Sequence, residues 1–137
     1  MGSGVGLMIE PYVLDSNIII YYLNDVLNEL AKQQFKNVVK TGNAHISIIT
    51  HIEVLFWHRY TEKSKENTER LLRKITKHPL DEYIVNSSIQ LRQTFPIKVP
   101  DAIIAATALY LEMPLMTRNL KDFQKVPKLK LFNPFEP

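Results

Sequence analysis

The segment Val99-Pro-Asp-Ala-Ile-Ile-Ala-Ala-Thr-Ala-Leu-Tyr-Leu111 limits the folds open to this chain more than any other stretch. Ala102, Ala105, Ala106 and Ala108 are interleaved with Ile103, Ile104, Leu109 and Leu111. A helix of that composition has no polar face and belongs in an interior, and its small side chains let the axis lie close against a sheet. Pro100 has a fixed φ and no N–H, which suits the start of a helix. Asp101 follows, where the macrodipole favours an anion. The segment reads as a buried helix presenting one carboxylate from its first turn.

The rest of the chain supplies the sheet. Pro11 to Asp15 is a short apolar run ending on an acid, a buried strand. Ser16 and Asn17 read as N-caps of a helix over Ile18 to Leu23. Helical spacing runs from Val26 to Val39 and stops at Thr41-Gly42-Asn43, a glycine C-cap signal. Ala44 to Ile48 reads as a second strand, Ile49 to Tyr60 and Thr61 to Ile75 as amphipathic helices, and His78 to Asp81 as a short third strand. Asp81 then caps a helix through Ile84, Val85, Ile89 and Leu91. Leu115-Met116 and Leu129 to Phe132 are the fourth and fifth strands, with a helical turn from Leu120 to Phe123 between them. Strands alternating with helices predict an α/β fold, with a mostly parallel sheet of about five strands covered on both faces. In such sheets ligands bind beyond the carboxyl ends of the strands.

At 137 residues the chain fits one domain, expected over 8–137. The opening Met1-Gly-Ser-Gly reads as a vector-derived scar within 1–7, with Met8 as the natural start. There is no cysteine, which excludes disulfides, thiol catalysis and cysteine-based zinc or iron–sulfur sites. No apolar run reaches membrane-spanning length and no signal peptide is visible, which fits a cytoplasmic protein. A net charge of +3 is compatible with a nucleic-acid partner and equally with a solvated surface carrying a slight lysine excess.

Four acids stand where such a fold places its ligands. Asp15 ends the first strand, Glu53 lies in the helix after the second, Asp101 opens the helix leading to the fourth, and Asp122 follows the fourth. Taken singly, Glu53 and Asp122 read as local caps, at the capping-box distance from Thr50 and Asn119. Asp101 reads equally as a dipole partner, and Asp15, on an otherwise apolar run, leans towards function. Taken together they form a cluster of like charge in which each acid raises the pKa of its neighbours. That is tolerated only with a cation or with shared protons. Oxygen ligands without Cys, and without a His-Glu-x-x-His spacing, select Mg²⁺ or Mn²⁺ over zinc. His45, His51, His58 and His78 read as surface or boundary residues.

The stretches Leu14-Asp-Ser-Asn-Ile18, Ile46-Ser-Ile-Ile-Thr-His-Ile-Glu-Val-Leu55, Lys98-Val-Pro-Asp-Ala-Ile-Ile-Ala-Ala-Thr107, Leu115-Met-Thr-Arg-Asn-Leu-Lys-Asp-Phe123 and Leu131-Phe-Asn-Pro-Phe135 form an ordered set. This set resembles the PIN-domain nucleases, in particular the toxin half of VapBC-type toxin–antitoxin pairs. The family's four acids fall on Asp15, Glu53, Asp101 and Asp122, and its strand-end hydroxyl falls on Thr117. Ser16 stands where threonine is common. Met113 replaces a frequent glycine before Pro114, so the central helix must end differently.

The resemblance implies a three-layer α/β/α sandwich, a homodimer, a small antitoxin partner and hydrolysis of RNA with Mg²⁺ or Mn²⁺. Asp15, Asp101 and Asp122 are then expected to hold one or two ions, with Glu53 completing the set or binding through water. Thr117, Ser16 or Asn17 would orient water or a phosphate. Arg118 would clamp a phosphate or form a structural pair with a Glu or Asp. Two other classes compete. One is a non-catalytic PIN-like module binding RNA or protein, against which the costly acid set argues. The other is a phosphohydrolase with Asp15 as nucleophile, against which the absence of a second acid at Asn17 argues. The apolar runs Leu55-Phe56-Trp57 and Ile18 to Leu23 read mainly as core, with room for faces that a partner would cover.

Overall fold

In the computed structural model, which describes residues 10–57 and 61–135, the strands are β1 (Tyr12–Leu14), β2 (Ala44–Ser47), β3 (Thr76–His78), β4 (Leu115–Met116) and β5 (Leu131–Phe132). The helices are α1 (Ser16–Leu23), α2 (Glu29–Lys40), α3 (Ile48–Leu55), α4 (Glu62–Leu72), α5 (Glu82–Thr94), α6 (Val99–Leu111) and α7 (Leu120–Phe123). The expected scar at 1–7, His58 and the expected helix end at Tyr60 lie outside the described residues.

All the strand pairings are parallel, in the order β3-β2-β1-β4-β5. From β1 the chain winds to β2 and β3 on one side and to β4 and β5 on the other. The direction of winding therefore reverses between β1 and β4, where an open α/β sheet leaves a crevice at its carboxyl edge.

Side-chain alternation along the strands builds the three layers. Val13 and Leu115 turn to one face and pack with Ala102, Ala105 and Ala108 of α6. Leu14 and Met116 turn to the other and pack with Ile18 and Ile19 of α1 and with Phe35 of α2. The central helix is buried as its composition predicts, every residue from Ala102 to Ala108 being enclosed. Among the described residues no single helix is long and apolar enough to cross a membrane.

Local chemistry sets where the helices start. Asp15 itself caps α1, accepting from the Ser16 N–H at 2.8 Å, so Ser16 is the first helical residue and neither it nor Asn17 is the cap. Ser47 caps α3, accepting from the Ile49 N–H at 3.1 Å. Thr50 therefore lies inside that helix, and the capping-box reading of Thr50 and Glu53 is not what the backbone adopts. Asn28, Thr61 and Asp81 cap α2, α4 and α5.

Three helices end in one motif. Gly42, at φ 75°, donates to the Val39 carbonyl while Asn43 donates to Val38, the paired bonds of a Schellman turn. Asp25 and Glu112 take the same left-handed conformation at φ 56°, and Glu112 and Met113 donate to Leu109 and Ala108. The central helix thus ends through Glu112, one residue before Met113. A side chain in that conformation costs about 1 kcal/mol relative to glycine. Glu112→Gly is expected to raise the thermal midpoint by about 3 °C, as a melt by circular dichroism would read; an unchanged midpoint would show the conformation to be unstrained.

Candidate functional site

The acids lie around the crevice between β1 and β4. Asp15 follows the last residue of β1, and Thr117 the last residue of the neighbouring β4. The Thr117 hydroxyl donates to Asp15 Oδ2 at 2.7 Å and accepts from the Asn119 N–H at 2.9 Å. Asp15 is thereby held from both sides, by the first N–H of α1 and by a hydroxyl from the adjacent strand. Both Asp15 and Thr117 are buried.

Burial pushes the Asp15 carboxyl up to about 6. The Thr117 hydrogen bond opposes that rise, the negative charge of Asp101 adds to it, the Ser16 N–H opposes it again and Glu53 adds a further increment. Glu53, in α3, is also raised, first by burial and then by Asp101, against a contact from the Ser16 hydroxyl. Asp101, in the first turn of α6, is raised by burial and by Asp122, with Lys98 opposing. Asp15, Glu53 and Asp101 are thus each raised by at least one other acid of the set. Asp122 alone is lowered, because the Asn119 side chain donates to it at 3.0 Å and Lys125, Lys98 and Lys121 surround it. Asn119 caps α7, as the sequence spacing suggests, and in doing so fixes Asp122.

Two acceptors in this region are orphaned. Glu53 Oε1 and Asn17 Oδ1 are buried without a hydrogen-bond partner. An unsatisfied buried acceptor costs about 1–3 kcal/mol, and a cation is one group that removes that cost. The donor set is carboxylate and amide oxygen, the chemistry that suits a hard divalent ion. The donor chemistry is therefore of the kind that Mg²⁺ or Mn²⁺ takes. Among the described residues no three His, Asp or Glu side chains already enclose a single metal position, so the acids are neighbours in an open arrangement rather than a closed cage.

The remaining candidates separate. Ser16 lies against Glu53, and Asn17 contributes the orphaned amide oxygen. Arg118 does not pair with an acid among the described residues. Its guanidinium lies over the rings of Phe135 and Tyr21, at 4.4 and 5.4 Å from their centroids. His45 and His78 form a stacked pair with a 2.9 Å contact between ring nitrogens and take no part in the acid group. In the apolar runs, Ile18 and Ile19 are core while Phe56 is 79% exposed. Residue-by-residue reading passed over Asn119 as a site residue, and also Lys98 and Lys125. The signal for Asn119 was its cap spacing to Asp122; the lysines carry no local signal.

Residues 12–129 match the family model of the PIN domain. The chain belongs to the PIN domain family. No curated protein matches it. It is similar to a chain of a toxin–antitoxin complex from Klebsiella pneumoniae, at 29% identity over 92% of this chain and 99% of that one, with a TM-score of 0.74. It is likewise similar to a chain of VapBC-1 from nontypeable Haemophilus influenzae, at 27% identity over 91% and 98%, with a TM-score of 0.72. A chain of FitAcB from Neisseria gonorrhoeae, 20% identical over 92% and 99% with a TM-score of 0.74, shares the fold.

Proposed function

We propose that this chain is a divalent-metal-dependent ribonuclease and the toxin of a toxin–antitoxin pair. The observation that carries the proposal is the buried Asp15, locked by Thr117 and Ser16 at the switch point of the sheet and surrounded by the fields of Asp101 and Glu53. Burial and like charge both oppose the ionisation of such a group, and its cap and hydroxyl bonds offset that cost only in part. The toxin role is supported by the family and by the toxin–antitoxin complex from Klebsiella pneumoniae to which the chain is similar. The same reading carries a small antitoxin partner and a homodimer.

Asp15, Asp101 and Asp122 would hold Mg²⁺ or Mn²⁺, with Glu53 completing the set directly or through water. The chemistry supplied by a divalent ion held there is the acidification of water and the neutralisation of charge building on a phosphate. Thr117 commits its proton to Asp15 and so orients that carboxylate. Asn119 performs the same service for Asp122. Ser16 and Asn17, in the first turn of α1, supply the hydroxyl and amide that bind a phosphate or order water beside the acids.

Labelled single-stranded RNA should be cleaved by the purified chain in Mg²⁺ or Mn²⁺, lose all cleavage in excess EDTA, and recover it when the ion is restored. Full activity in EDTA would remove the metal from the mechanism. RNA binding without cleavage under any of these ions would assign the fold to binding alone.

A further inference from the structure

We propose that Arg118, whose guanidinium sits over the rings of Phe135 and Tyr21, binds the phosphate next to the scissile one on the RNA strand. The identity of the strand rests on the nuclease reading above; the cation and its shelf do not.

Three separate parts of the chain build the shelf. Arg118 follows Thr117, whose hydroxyl is bonded to Asp15. Tyr21 lies four residues beyond Asn17 in α1, hence on the same side of that helix, one turn further along. Phe135 comes from the chain end, where its N–H donates to Asn133 Oδ1 at 3.0 Å and closes an Asx turn. The rings of Tyr21 and Phe135 meet edge to face at 5.8 Å and 88°, and the guanidinium lies over both. The Arg118 shelf is therefore tied to the site twice, through Thr117 and through the helix that carries Asn17.

A guanidinium on an aromatic face keeps its N–H donors in plane and available for a bidentate acceptor. None of the ion pairs among the described residues involves Arg118; these join Lys32 to Asp25 and Glu29, and Lys125 to Asp122. The side chain is exposed, so its charge is presented to solvent. Tyr21 stands one helical turn, about 5.4 Å, along α1 from Asn17, which puts the shelf beside the acid group, at the place of a flanking phosphate rather than of the one being cut. An acidic site by itself repels a polyanion, and a rigid, unpaired cation beside it offsets that repulsion.

The test is binding of a fluorescently labelled single-stranded RNA, followed by anisotropy across a NaCl series in Mg²⁺, on the Asp101→Asn chain so that no cleavage intervenes. Adding Arg118→Gln should weaken binding roughly tenfold at fixed salt and flatten the plot of log affinity against log salt by about 0.7, the contribution of one phosphate on a single strand. Arg118→Lys should keep the slope yet still lose affinity, because the planar fork and its stacking are gone. Phe135→Leu should lower affinity in the same direction with an unaltered thermal midpoint. Unchanged affinity and slope in Arg118→Gln would overturn the assignment, whatever the intact chain does to RNA. Arg118-dependent binding by an intact chain that never cleaves would overturn the nuclease reading and leave Arg118 as a phosphate contact with no scissile neighbour. No RNA binding at all would overturn both.

Discussion

Asp101→Asn is expected to lower RNA cleavage by about 10²–10³-fold, the scale of removing a major electrostatic element from an active site, while moving the thermal midpoint by less than about 2 °C. The small stability effect follows from the surroundings of Asp101. Its carboxylate receives no hydrogen bond from any described residue, and its charge raises the pKa of both Asp15 and Glu53. Neutralising it forfeits a favourable dipole interaction of about 0.3–1 kcal/mol at the start of α6 and relieves repulsion within the acid group. These two effects oppose each other. The large activity effect follows from the proposed ligand role, which an amide fills poorly for a hard cation. A time course on labelled RNA, paired with a melt of the same preparation, measures both. Undiminished cleavage would place Asp101 outside the mechanism, and a midpoint lowered by tens of degrees would make it a structural residue instead.

What could be read from the letters, and what could not, divides on whether a signal is local. Helix α6 was legible because its alanines leave no polar face and Pro100 marks its start. The Schellman turn at Gly42 was legible because glycine accepts a positive φ without strain. The start of α3 was not. Ser47 and Thr50 are both cap-forming residues three positions apart, and the choice between them falls to the end of β2, a tertiary fact. The same ambiguity hid the role of Asp15, which is a cap and a site residue at once: one of its oxygens accepts from Ser16 and the other from Thr117, 102 residues away. Arg118 shows the opposite case. A phosphate clamp and a structural ion pair were equal readings of an arginine after a strand, and only the approach of Tyr21 and Phe135 reveals an aromatic shelf in place of an acid partner.

Between pH 4 and pH 8, Asp15→Asn is expected to gain about 2.5 kcal/mol of stability relative to the wild type in the metal-free protein. The Asp15 pKa rises from 3.8 to about 6 on folding. Below the lower value the carboxyl is neutral in both states and no penalty applies. Between the two values the unfolded chain ionises first, so the wild-type protein loses stability as pH rises, by about 1.4 kcal/mol per unit; above pH 6 the loss levels off. The amide cannot titrate and keeps the packing. Its oxygen accepts from the Ser16 N–H and its nitrogen faces Thr117 Oγ1, whose buried hydroxyl proton loses its acceptor; that cost of about 1–3 kcal/mol is the same at every pH and leaves the pH dependence unchanged. Asp122 contributes with the opposite sign, since its folded pKa is lowered, but it is common to both proteins and cancels in their difference. Urea unfolding of the two proteins across pH 4 to 8 in EDTA gives that difference directly. Curves that run parallel would show that Asp15 is not held against its charge. Adding Mg²⁺ at pH 8 should then raise the stability of the wild-type protein, as for any ligand that binds only the folded state, and do little for Asp15→Asn.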